Sequence, residues 1–146
     1  MLWMFAMLVI GAFGCAVVLD STYINAKHVY VQGAADASTD AGAYQRYFNL
    51  GRDYDEFYID PVKGRAAAEA TFSKNMENMK AAGINTDNIG IPNISFPDNY
   101  SITLETDLTY EMKHSENTLK NVFDDDRSLG GIEDTINSTS NVNHRK

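Results

Sequence analysis

The chain of 146 residues has a single cysteine, three prolines and fewer basic than acidic side chains. With Cys15 alone, no intrachain disulfide can form, and a zinc centre built on several cysteines is excluded. Cys15 stands in an apolar run and reads as a small buried residue. Lys and Arg number 12 against 20 Asp and Glu, for a net charge of −8. That balance leaves no cationic surface to neutralise phosphates, so nucleic acid is not an expected partner. It suits a solvated surface outside the cell. A glycine-rich phosphate loop, a nucleophile elbow and an HExxH pair are all missing. No catalytic residue, cofactor or metal site is therefore expected, and the chain reads as a structural protein rather than an enzyme.

Charge is missing altogether from Met1 to Leu19, MLWMFAMLVIGAFGCAVVL, and the first charged side chain is Asp20. As a helix this run spans about 28 Å, close to the thickness of a bilayer's hydrocarbon core. A secretory signal peptide would show a basic region before the run and a small-residue cleavage site, and no Lys or Arg precedes it. The stretch Ala12-Phe13-Gly14-Cys15 faintly resembles a lipobox but lacks its leading Leu and the basic region. The remaining reading is a retained apolar helix, either a membrane anchor or the packed core of a filament.

No proline occurs before Pro61, so nothing forces this helix to stop at the end of the apolar run. Leu19, Tyr23, Ala26, Tyr30, Ala34, Ala37, Ala41, Tyr44 and Phe48 continue a stripe at three- and four-residue steps. Asp20, Lys27, Asp36 and Asp40 fall off it. The spacing predicts one nearly continuous helix from residue 2 to residue 48, about 70 Å long. Such a helix needs partners along its length. Its second half is rich in small residues, among them Gly33, Ala34, Ala37 and Ala41, which let helices approach closely. An Ala-rich helix packed on its own domain is the plainer alternative.

The stretch Tyr30 to Ala43, YVQGAADASTDAGA, resembles a segment of the TadE/TadG-like proteins of tight-adherence pilus systems. There a hydrophobic helix runs into a pattern of the form L-Q-x-A-A-D-A-A-A-L-A-x-A. Gln32, Ala34, Ala35, Asp36, Ala37, Ala41 and Ala43 match it. The resemblance covers residues 1–48 and implies a pilin or pseudopilin, with a stalk helix buried in a filament or inner membrane and a small domain outside. Type IV pilins and many relatives carry a glutamate where Phe5 stands, and the basic leader of those proteins has no counterpart before the apolar run.

Beyond the stalk, Asn49 to Asp60 form a polar, aromatic connector in which Gly51 is a natural helix stop. Asp60 and Pro61 mark the start of a second helix, Val62, Ala66, Ala70, Phe72, Met76 and Met79 give it an apolar face, and Gly83 ends it. Ile89 to Phe96 read as an edge strand interrupted at Pro92, and Pro97-Asp98-Asn99 as a turn. Tyr100 to Lys113 alternate strictly, with Ile102, Leu104, Leu108 and Tyr110 on the inner face. From Ser115 onward large apolar groups are few, and most of the segment reads as a disordered tail unless pinned. The expected architecture is α+β: a stalk or transmembrane helix in 1–48, a small α+β domain with an antiparallel sheet in 49–114, and a polar extension in 115–146.

His28, His114 and His144 lie far apart in unlike contexts and read as solvated or interfacial. Asp124-Asp125-Asp126 invites a calcium reading, but Leu129 and Thr135 stand where an EF-hand needs Gly and a bidentate Glu. A solvated acidic turn is the better account, as it is for Asp53, Asp55, Glu56 and Asp60. Asn93, Asn99 and Asn137 begin Asn-x-Ser/Thr sequons and are candidate glycosylation sites in an organism that modifies them. The functional expectation is a subunit of an extracellular pilus-like filament, inserted in the inner or cytoplasmic membrane before assembly, whose partners are copies of itself. Phe5, Gly11, Gly14, Tyr23, Tyr30, Gly33, Ala34, Ala37 and Ala41 are the candidate packing and assembly residues. The alternative is a single-pass minor pseudopilin or assembly factor with an extracytoplasmic binding module.

Overall fold

The computed structural model describes residues 2–48, 57–124 and 128–142. In chain order the elements are α1 (Leu2–Ala43), β1 (Arg46–Phe48), β2 (Phe57–Ile59), α2 (Pro61–Ala81), β3 (Asn93–Asp98), β4 (Ser101–Glu111), α3 (Lys113–Phe123) and β5 (Gly131–Asn141). The fold is α+β, with a long apolar N-terminal helix and small antiparallel sheets. The chain forms two compact units, an N-terminal one of Met1–His28 with Thr109–Asp134 and a central one of Val29–Leu108 with Thr135–Lys146.

The three-stranded sheet runs β3-β4-β5. The period-2 pattern places Ile102, Leu104, Thr106 and Leu108 of β4 on the buried face. Ile94 of β3 and Ile136 of β5 extend that face, and Val31, Ala35, Phe72 and Met79 complete the core from α1 and α2. β3 begins at Asn93, later than the expected start at Ile89. Pro92 removes a ladder donor, and Ile89 makes only an isolated bridge to Leu108. The register shifts between Ser95 and Asp98, and this irregularity accommodates Pro97. Asp98 then accepts from the Tyr100 amide at 2.7 Å and closes the turn.

α2 starts as expected. The Asp60 carboxylate accepts from the Val62 and Lys63 amides at 3.0 and 3.1 Å, and Gly83 ends the element at φ +82°. Its buried face differs from the expected one. Gly64, Ala68, Phe72 and Met79 are buried, whereas Val62, Ala66 and Ala70 are exposed. The cause is a close approach of backbones: a Cβ on Gly64 would lie 3.1 Å from the Gly42 carbonyl oxygen, and a Cβ on Gly42 3.0 Å from that of Gly64. α1 and α2 meet at these two glycines, and this contact sets the rotation of α2.

Two sequence expectations fail at the ends. α1 stops at Ala43 rather than residue 48, because Arg46–Phe48 pairs antiparallel with Phe57–Ile59. Gln45 accepts from the Asp60 amide at 2.7 Å, and Tyr58 stacks on Tyr100 with centroids 5.2 Å apart, so the aromatic segment gains more as a strand. Gly51 lies outside the described residues. The supposed tail contains α3 and β5. β5 buries Ile136, Val142 just past its end is buried, and the strand is tied by hydroxyls, Thr139 to Thr103 and Ser138 to Thr39, each at 3.0 Å. Hydrogen bonds to distant residues replace the apolar groups this segment lacks.

Candidate membrane and assembly surface

α1 is long and apolar enough to cross a membrane, and only 11% of its most apolar window is buried. A soluble core helix of that composition would be covered. Here Trp3, Met4, Phe5, Leu8 and Ile10 stand open to solvent, Trp3 at 81% exposure. Cys15 is exposed as well, contrary to its expected burial. A Cβ at Gly11 or Gly14 would meet nothing within 4 Å, so this surface has room for close approach by another helix. One stripe is covered: Val9 and Phe13 are half-buried, and Ala16 and Asp20 are buried.

The inward face of α1 is not the stripe expected from the sequence. Ala16, Asp20 and Lys27 are buried in the N-terminal unit, and Val31, Ala34, Ala35, Ser38, Thr39 and Gly42 in the central unit. Leu19, Ala26, Tyr30 and Ala37, expected inside, are exposed. The buried face is offset by about one residue, or about 100° of helix rotation. Among the candidate assembly residues, Phe5, Gly11, Gly14, Tyr30, Gly33 and Ala37 are exposed, Tyr23 and Ala41 are half-buried, and Ala34 packs inside its own unit. Tyr30, Gly33 and Ala37 line a groove of about 320 Å³ whose other wall is built by Asn78, Met79 and Ile84.

Asp20, one residue past the apolar run, is 1% exposed. Its Oδ1 accepts from the His114 amide at 3.0 Å and lies 2.9 Å from His114 Nδ1. Its Oδ2 accepts from the Ser115 amide at 2.8 Å and from Ser115 Oγ at 2.6 Å. Met112 precedes α3 without a side-chain cap, so Asp20 caps this helix from a distant part of the chain. Burial pushes the Asp20 pKa up, but the hydrogen bonds from Ser115 and His114 outweigh it and leave the carboxyl below its ordinary value.

About two helical turns further, His28 Nδ1 lies 2.9 Å from Asp134 Oδ2 and 3.1 Å from Tyr110 Oη, and the Tyr110 hydroxyl donates to the same carboxylate oxygen at 3.1 Å. These side chains line an open groove of about 650 Å³ with Ser21 and Asn25. Burial and the Asp134 carboxylate raise the Tyr110 pKa well above its ordinary value of 10.0. The neutral phenol therefore stabilises the folded unit fully below that value, and its contribution is lost as pH rises above it. Tyr110→Phe is expected to cost about 1 kcal/mol and to weaken this alkaline sensitivity, read from urea midpoints between neutral pH and pH 11.

Of the histidines read as solvated or interfacial, His28 and His114 are part-exposed and pair with carboxylates, and His144 lies outside the described residues. Among the described residues no group of three or more His, Cys, Asp or Glu gathers at metal-ligand distance. Asp124 adopts φ 51° at the end of α3, and Asp53, Asp55, Glu56, Asp125 and Asp126 lie outside the described residues. Asn93, Asn99 and Asn137 are all exposed. Asp20, Ser115 and the His28–Asp134 pair had no sequence signal, since each joins residues far apart in the chain. No family model, curated protein or solved structure matches the chain.

Proposed function

We propose that the chain is the structural subunit of an extracellular pilus-like filament, held in a membrane by its N-terminal helix before assembly and polymerising through that helix. The observation that carries this reading is the apolar run of α1, uncovered on all but one stripe and continuous with a helix that enters a folded α+β unit. Exposed apolar surface of this extent demands a partner, either lipid or other helices. The acidic composition and the Gln32-to-Ala37 resemblance to TadE/TadG-like proteins support a pilin rather than a simple anchor.

Gly33→Leu and Ala37→Leu test it. A side chain at Gly33 meets nothing within 4 Å inside the chain, and Ala37 is exposed, so the central unit keeps its fold in both variants. Filament yield in sheared surface fractions, viewed by negative stain, is expected to fall at least tenfold, as bulky groups force packed helices apart. Normal filaments from both variants would remove this face from the assembly. A chain that stays in the membrane fraction as a monomer and never polymerises is instead a single-pass anchored assembly factor.

A further inference from the structure

We propose that α3 is a displaceable strap, latched by Asp20, that covers one stripe of the apolar run and is released when the run enters a lipid bilayer. This rests on the membrane-held subunit proposed above. Val9, Phe13, Ala16 and Asp20 follow one another at helical steps on a single face of α1, and they are the half-buried and buried positions of an otherwise open run. The N-terminal unit joins Met1–His28 with Thr109–Asp134, the segment that contains α3. The Asp20 bonds to His114 and Ser115 fix the first turn of α3 at the end of this stripe.

α3 is built for a wet environment. Ser115, Glu116, Thr118 and Leu119 are its less exposed positions, Lys113, Asn117, Lys120 and Asn121 are exposed, and Val122 and Phe123 are exposed at its C-terminal end. A helix with this polar surface is excluded from the hydrocarbon core, where each charged group costs several kcal/mol. The covered stripe and the lipid-embedded state are therefore mutually exclusive. The latch suits a reversible contact. It consists of hydrogen bonds, which water replaces on release at small net cost, and Ala16 is the sole apolar residue of the stripe that is fully buried. Before insertion the strap shields part of a surface that would otherwise associate indiscriminately.

The test uses the full chain with Cys15→Ser, Asp20→Cys and Ser115→Cys; the Asp20 and Ser115 side chains are hydrogen-bonded neighbours at 2.6 Å, and a disulfide between the two cysteines, verified by loss of free thiol, locks the strap. Reduced and oxidised forms are mixed with phosphatidylcholine–phosphatidylglycerol vesicles, and carbonate-resistant insertion is followed. The reduced form is expected to insert, and the oxidised form about tenfold more slowly or not at all. Independently, in the wild-type chain the amides of Lys113–Phe123 are expected to exchange about tenfold faster once vesicle-bound, and Ser115→Ala should insert faster than wild type. Equal insertion of the locked form, or unchanged amide exchange on insertion, overturns the strap. Failure of every form to insert overturns the membrane reading and the strap with it.

Discussion

Asp20→Ala is expected to destabilise the N-terminal unit by about 3 kcal/mol, the sum of a lost helix cap and of buried donors left without an acceptor. The Asp20 carboxylate serves two backbone amides and a hydroxyl of α3, and Ser115 is fully buried. Alanine leaves those donors without an acceptor until the helix opens to water. Asp20→Asn keeps the volume but presents an amide group where donors already point, so it should lose a smaller share. The readout is amide exchange across Lys113–Phe123, which should approach the unprotected rate in the alanine variant while the amides of β3 stay protected. Acid titration gives a second check. Because the folded carboxyl sits below its ordinary 3.8, its contribution is complete above that value and is lost as pH falls through the folded value. Wild-type α3 should therefore loosen in acid as pH falls below 3.8, and the alanine variant should show no such added step.

What the sequence made legible was local. The α2 start needed only Asp60 and Pro61, its stop only Gly83, and the inner face of β4 only the alternation from Ser101 to Glu111. Those features depend on neighbours in the chain. The face of α1 failed for a related reason. Ranking residues by hydropathy puts Tyr30 and Leu19 inside and Asp20 and Lys27 outside, whereas the fold does the reverse. Asp20 is buried because its donors come from residues 94 and 95 positions later, which no helical pattern can display. The end of α1 failed because Arg46–Phe48 finds a strand partner across the connector, and a three-residue strand has too few positions to alternate. β5 looked like tail because its contribution is carried by Ser138, Thr139 and Ser140 hydroxyls, with Ile136 as its main apolar anchor. The apolar run itself was plain from the start. The burial of Asp20 at its end was not, since that depends on His114 and Ser115, far along the chain.

Gly64→Leu is expected to destabilise the central unit by about 3 kcal/mol, as overpacking at a backbone crossing leaves nowhere for the side chain to go. A Cβ alone at this position would stand 3.1 Å from the Gly42 carbonyl, 3.1 Å from Ile59 Cγ2 and 3.3 Å from the Phe96 ring. The first of these is backbone and does not swing aside. Gly64→Ala therefore opposes a gain in helix propensity of about 1 kcal/mol to a few tenths of an ångström of crowding, and the two nearly cancel. Leucine adds three carbons beyond that point and must lift α2 off α1. Because a Cβ on Gly42 would meet both the Gly64 carbonyl and the tip of Ile102, Gly42→Leu should show a loss of the same order, and the double variant should lose less than the sum of the singles. Urea midpoints of the detergent-solubilised chain supply the numbers. A leucine at either glycine that leaves the midpoint unchanged would mean that α1 and α2 do not pack by backbone contact, and the rotation that exposes Val62 and buries Ala68 would need another cause.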